Sequence, residues 1–231
     1  GRGLEEAQDI LEFNQQLDKI EAWIRDKEMM VVAHDLGRDY EHCSSLIRKL
    51  DDLDSDMKVD DGRVKRVCTL AQQLLRKGGT QQAAGVAARR DALLHKWQAL
   101  SGALAAYRAS LAAALELHSF HRDVEDTEER IAKKAAIFSS TERGRELSAA
   151  HELMRRHNAR EAEAQAVGDR IQQLTKEGRD LQKRHPEREK EIEDSLQRLQ
   201  DGWRELLQLA ARRTAALEEA IAEHKFDDNL K

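Results

Sequence analysis

The chain has 231 residues with a formal net charge of −5 at pH 7, and 36% of its residues are charged while 4% are aromatic. One proline and so few aromatic residues argue against a β-rich fold, and the abundance of Ala, Leu, Glu, Arg and Gln is typical of long amphipathic helices. Interleaved charges argue against a nucleic-acid surface, and the sequence shows neither a bilayer-spanning apolar run nor a signal peptide.

The first half of the chain is predicted to form three helices. They cover about residues 5–33, 39–77 and 81 onward, and they are separated by the segments AHDLG and RKGGT. Glycine is common where helices end. In the first helix the apolar residues are spaced three and four apart, which is the pattern of a heptad seam.

The second half repeats the first. The segment FHRDVEDTEERI begins at Phe120, 107 residues after FNQQLDKIEAWI begins at Phe13. Farther along the offset is 106 residues, so that Trp97 coincides with Trp203. The breaks of the second copy are predicted at SSTERG and KRHP, and short loops of this kind join antiparallel helices. Each copy is therefore predicted to be a three-helix bundle with a left-handed supercoil.

The two copies are predicted to share one helix. Residues 109–131 contain neither Gly nor Pro, so nothing there ends a helix, and a single helix is expected over 81–138. We expect a first domain over 1–114 and a second over 115–225. Residues 226–231 are expected to begin a further copy or a tail, because Phe226 follows Phe120 by 106 residues.

Several motifs resemble tandem spectrin repeats, most closely those of a spectrin β chain, ordinary or heavy. They are the period of about 106 with its paired tryptophans, LDKIEAWIRDKE in the first helix, DLGRDYEHC at the start of the second, and LMRRH in the second copy. The resemblance covers essentially the whole chain. It implies an all-α fold of two tandem three-helix bundles, and a place in the submembrane actin cytoskeleton of the cytoplasm with an α-spectrin-type chain, an ankyrin-type adaptor and, indirectly, actin as partners.

Three sets of residues follow from the repeat pattern and the resemblance. The predicted structural core contains Phe13, Leu17, Trp23, Trp97, Phe120, Val124 and Trp203. The predicted inter-repeat linker contains Tyr107, Leu111, Leu115 and His118. A candidate docking face contains Arg130 and Arg160, which stand where the first copy has Trp23 and Leu53. These arginines are interpreted either as part of a partner surface or as ordinary drift, with the Arg130 stem lying on the core; in both cases the second copy should be the less stable.

No catalytic, cofactor or metal site is predicted. The acidic segment DLDSDMKVDDGR has Met57 and Arg63 where a calcium loop needs Gly and Glu. His118 and His121 are three residues apart, but no third ligand is near them in sequence. Cys43 and Cys68 would lie about 37 Å apart on one helix, so a reduced, cytosolic chain is the simpler interpretation.

Three functions are consistent with the sequence. The first is an elastic, non-enzymatic spacer and scaffold in a spectrin-type rod, and the second is an adaptor-docking module of the ankyrin type. The third is a membrane-remodelling helical dimer, but local cancellation of charge argues against the concentrated basic surface that it needs. Nucleic acid, a small-molecule substrate and direct membrane insertion are not expected.

Overall fold

The computed structural model describes residues 2–230, apart from the side chains of Arg2, Thr80 and Gln81. Within that range the secondary structure is helical, with no strand. The α-helices are α1 (Arg2–Val32), α2 (Tyr40–Lys77), α3 (Thr80–Phe138), α4 (Leu147–Arg184) and α5 (Glu189–Leu230). A single 3-10 turn, Pro186–Arg188, directly precedes α5. The predicted all-α fold of helical bundles with a shared long helix is confirmed.

The loops before α2 and α4 depend on glycine. Gly37 and Gly144 have φ angles of 81° and 84°, in the left-handed region that side chains rarely adopt. A Cβ atom at Gly144 would lie 2.6 Å from the backbone nitrogen of Ala150, so the helix also passes too close for any side chain. The backbone conformation and the close packing therefore explain why both copies have glycine at this position. Asp39 then caps α2 by accepting a hydrogen bond from the backbone N–H of His42 at 2.8 Å.

The chain divides into two compact units, with Glu116 in the first and Leu117 in the second. Both draw on α3: Val86 and Ala114 belong to the first core, and Leu117 and Phe138 belong to the second. One uninterrupted helix of 59 residues thus contributes to two separate cores.

The core of the first unit is almost entirely apolar. Its fully buried side chains come from all three helices and include Phe13 and Leu17 of α1, Leu50 of α2, and Leu93 and Leu111 of α3. The three helices are held mainly by removal of these side chains from water, which contributes about 25 cal/mol per Å² of apolar surface.

The core of the second unit is more polar. Phe120, Val124, Ile171 and Leu199 repeat the apolar seam. Four buried polar or charged residues also belong to this unit, whereas the described part of the first unit has one, Asp60. The four are Thr127, His157, Ser195 and Arg213. The two units thus differ in the polarity of their interiors.

Candidate functional site

The predicted core residues are placed at two levels of burial. Phe13, Leu17, Phe120, Val124 and Trp97 are buried. The other two tryptophans of the set are half-buried and pack against their cores: Trp23 in the first unit and Trp203 in the second. The ring centroids of Trp23 and Trp97 lie 6.0 Å apart.

Three of the four predicted linker residues belong to the first unit. Tyr107 and Leu111 are buried in its core, and Leu115 packs against it. The hydroxyl of Tyr107 donates a hydrogen bond to the backbone oxygen of Asp35 at 2.5 Å, which ties α3 to the loop before α2. His118, the fourth, is half-buried in the second unit.

The two arginines of the predicted docking face are exposed. Arg160 borders a cavity of about 80 Å³ in the second unit, and Arg130 is not among the residues that line it. The polar residues that line this cavity are Ser140, Glu142, Arg156, His157, Arg160 and Arg213. We call it the arginine cavity.

Three polar residues of the arginine cavity replace a tyrosine and two leucines of the first copy. Under the repeat offsets, Arg213 replaces Tyr107 and His157 replaces Leu50. Arg213 is 8% exposed, and its Nη1 atom is buried without a hydrogen-bond partner among the described residues. The pKa of Arg213 is lowered chiefly by burial; Glu142 acts to raise it and Arg160 to lower it further. A charge in this position is therefore incompletely compensated.

The Nε2 atom of His157, which also lines the cavity, has two partners. It lies 2.8 Å from the hydroxyl oxygen of Thr214 and 2.5 Å from a carboxylate oxygen of Glu161. The Thr214 hydroxyl is within hydrogen-bond distance of the same carboxylate, 2.8 Å away. The imidazole and the ring of Phe138 form a T-shaped pair, with centroids 5.4 Å apart. This network joins α4 to α5, so His157 has a structural role. Arg213, in contrast, has a buried nitrogen without a hydrogen-bond partner among the described residues.

A second polar cluster joins α3 to α5 and contains the residue types of a nucleophilic triad. His121 Nε2 lies 2.7 Å from Glu191 Oε1, and His121 Nδ1 lies 3.4 Å from the Ser195 hydroxyl oxygen. Ser195 is 2% exposed, so a substrate could not reach its hydroxyl. A hydrogen bond from Arg188 is the main cause that lowers the pKa of Glu191, and His121 lowers it further. The cluster therefore acts as an interhelical tie.

The first unit also has a groove, of about 350 Å³, between α1 and α2. Trp23 and Asp60 are among its lining residues, and Asp60 is paired with Arg63 at 3.3 Å. The buried carboxylate thus has a partner, unlike the guanidinium in the arginine cavity.

Neither a metal cluster nor a membrane span is found in the part of the chain that the structure describes. No three or more His, Cys, Asp or Glu side chains are grouped there so that they could share a metal ion. None of the helices between residues 2 and 230 combines the length and the apolar character needed to cross a bilayer.

Known proteins match the chain along most of its length. The spectrin repeat family matches twice, over residues 8–113 and 115–219. The spectrin beta chain, non-erythrocytic 5, of Homo sapiens is 30% identical over 94% of this chain and 6% of its own length. The spectrin beta chain of Drosophila melanogaster is 29% identical over 87% of this chain and 9% of its own length. The spectrin alpha chain, erythrocytic 1, of Mus musculus is 25% identical over 100% of this chain and 10% of its own length. The chain thus spans a tenth or less of each of these relatives.

Proposed function

The chain belongs to the spectrin repeat family, and on that premise we propose that it is a non-catalytic segment of a spectrin-type rod in the membrane-associated actin cytoskeleton. In that rod it acts as an elastic spacer and scaffold. The observation that carries the proposal is α3, whose 59 residues supply side chains to the cores of both units without interruption. Tension applied to one unit would pass to the next through helical backbone.

Elasticity would come from separate unfolding of the two units. Each unit has its own buried core, and repeat proteins with separate cores open one unit at a time. A helix rises 1.5 Å per residue, whereas an extended chain reaches about 3.5 Å per residue. Unfolding one unit of roughly 115 residues would therefore release up to about 400 Å of chain.

Single-molecule force spectroscopy of the whole chain, held by handles at both ends, tests this proposal. We expect two separate unfolding steps, each lengthening the chain by about 350 Å, which is the extended length minus the roughly 50 Å that a folded unit spans. The variant Leu93→Ala should lower the force of one step only, because Leu93 is fully buried in the first unit. Extension without discrete steps, or a change of both steps in the variant, would contradict the mechanism.

An alternative proposal is that the chain is an adaptor-docking module of the ankyrin type within a β chain. It is supported by the exposure of Arg130 and Arg160, at positions where the first copy carries Trp23 and Leu53. A binding assay with the spectrin-binding domain of an ankyrin separates the two. Loss of binding in Arg130→Gln and Arg160→Gln would favour docking, and absence of binding by the unaltered chain would exclude that adaptor. An α-spectrin-type chain remains a proposed partner of the larger protein, and actin an indirect one.

A further inference from the structure

The arginine cavity is a polar site that the spacer role does not use. Three arginines line it, Arg156, Arg160 and Arg213, and Glu142 is the carboxylate among its lining residues. Arg156 forms an ion pair with Glu152, whose Oε1 atom lies 3.4 Å from Arg156 Nε. The imidazole of His157, which is bonded to Glu161 and Thr214, carries no negative charge with which to balance the arginines. The cavity therefore has an excess of positive charge.

Arg213 is the side chain that a bound ligand would stabilise most. A buried guanidinium is stable only when its N–H groups are hydrogen-bonded and its charge is balanced, and Nη1 of Arg213 has no partner among the described residues. Water in the cavity could accept a hydrogen bond, but it would not balance the charge. An anion would do both.

The arginines and the size of the cavity define the class of anion. The guanidinium presents its N–H groups in a planar fork that matches two oxygens of a phosphate or carboxylate. About 80 Å³ is several times the space that one water needs, but it is small for a ring-containing ligand. A tetrahedral group offers oxygens in several directions, which suits three arginines on two helices.

We propose that the arginine cavity binds a phosphate-class oxyanion, with Arg213 as the buried anchor and Arg156 and Arg160 as the outer ligands. The first copy lacks this site, because Tyr107 occupies the anchor position and is satisfied by the backbone oxygen of Asp35. The anion is either a free phosphate ion or the phosphate monoester of a lipid headgroup, since both present at least three terminal phosphate oxygens.

Isothermal titration of the whole chain with inorganic phosphate, against chloride at matched ionic strength, tests the site. We expect saturable binding of one phosphate per chain with a Kd of about 1 mM or below. Arg213→Met should weaken binding at least about tenfold, because a charged hydrogen bond is lost. Arg160→Gln should also weaken it. Arg212→Gln is the matched control, since Arg212 is the exposed neighbour of Arg213 and the loss of charge is the same.

Thermal unfolding gives a second readout that a purely structural arginine would not produce. Arg213→Met keeps an apolar stem and removes a buried charge, so it should fold with an unchanged or higher Tm in phosphate-free buffer. Phosphate should raise the Tm of the wild type and of Arg212→Gln, but not that of Arg213→Met. Absence of saturable phosphate binding by the wild type, or equal binding by the Met variant and the control, would overturn the proposal.

Vesicle sedimentation distinguishes the two sources of the anion. The vesicles contain phosphatidylcholine, with or without phosphatidylinositol bisphosphate. Sedimentation with the phosphorylated lipid that is lost in Arg213→Met and competed by inorganic phosphate would assign a headgroup, and phosphate binding without sedimentation would assign a free ion. Sedimentation that persists in Arg213→Met, with no phosphate binding in solution, would count against the site.

Discussion

Gly168→Ala should leave the second unit less stable than Gly202→Ala does, although both place the better helix former in a helix. Gly168 lies in the interior of α4 and is buried. A Cβ atom there would lie 2.7 Å from Cζ2 of Trp203 and 3.1 Å from Cη2, so the indole ring must move. Gly202, the residue before Trp203 on α5, provides the matched control. Its Cβ would meet Cδ1 of Ile131 at 3.6 Å, which is an ordinary contact.

Two opposing effects determine the magnitude. Replacing glycine by alanine in a helix interior gains about 1 kcal/mol. Overpacking against the half-buried ring of Trp203 costs about 1–3 kcal/mol. Gly202→Ala should therefore stabilise the unit by about 1 kcal/mol, whereas Gly168→Ala should be neutral to destabilising by about 2 kcal/mol. The effect of the same substitution on the free energy of unfolding is thus expected to differ by about 1–3 kcal/mol between two sites of one unit.

Urea denaturation followed by far-UV circular dichroism measures both variants, and thermal melts provide an independent order of stability. Free energies should be compared at equal m-values, because a changed slope would indicate an altered denatured state. If Gly168→Ala is as stable as Gly202→Ala, then Trp203 yields without cost, and the close packing of its ring on α4 is not a determinant of stability.

Three further results are expected. Gly144→Ala should lower the stability of the second unit by about 2 kcal/mol or more, as measured by thermal melts. Alanine would have to adopt a left-handed backbone conformation, and its Cβ atom would lie 2.6 Å from a backbone nitrogen. An unchanged melting temperature would contradict this. Glu191→Gln should destabilise the second unit at pH 7, because hydrogen bonds from Arg188 and then His121 lower the pKa of Glu191. The gap to the wild type should close as the pH falls below about 4.5 and through the lowered native pKa, where the stabilisation by the carboxylate is lost. Glu187→Gln removes the same charge from the adjoining 3-10 turn and is the control, and a gap that persists at low pH would refute the assignment. A thiol reagent should label half-buried Cys68 before Cys43. Cys43 is 0% exposed and should react only when the first unit unfolds. Equal labelling rates would mean that the reagent enters the core of the folded first unit.

The helices and the shared core seam could be predicted because they follow from a one-dimensional pattern. Apolar spacing placed Phe13 and Phe120 at equivalent buried positions, and the absence of Gly and Pro over 109–131 predicted the continuous α3. Helix ends were predicted within about three residues, as at α1, because end residues are held by few contacts.

The polar contacts could not be predicted in the same way, because they join residues far apart in sequence. His121 was considered with His118 as a metal ligand, yet it is bonded to Glu191 on another helix. The arginine cavity did leave a signal, since the repeat offset places Arg213 on Tyr107 and His157 on Leu50. The sequence comparison singled out Arg160 alone among the cavity's arginines, and only the structure shows which polar replacement is buried without a partner.

The polar interior of the second unit has a thermal consequence. Exposure of apolar surface raises the heat capacity on unfolding and exposure of polar surface lowers it, so the unit that buries Arg213 and His157 should have the smaller heat-capacity change per residue. Its stability curve should be flatter, while the apolar first unit should weaken more on cooling. The difference in unfolding free energy between the two units should therefore change with temperature. That dependence is determined by the composition of the two interiors and not by the topology that the units share.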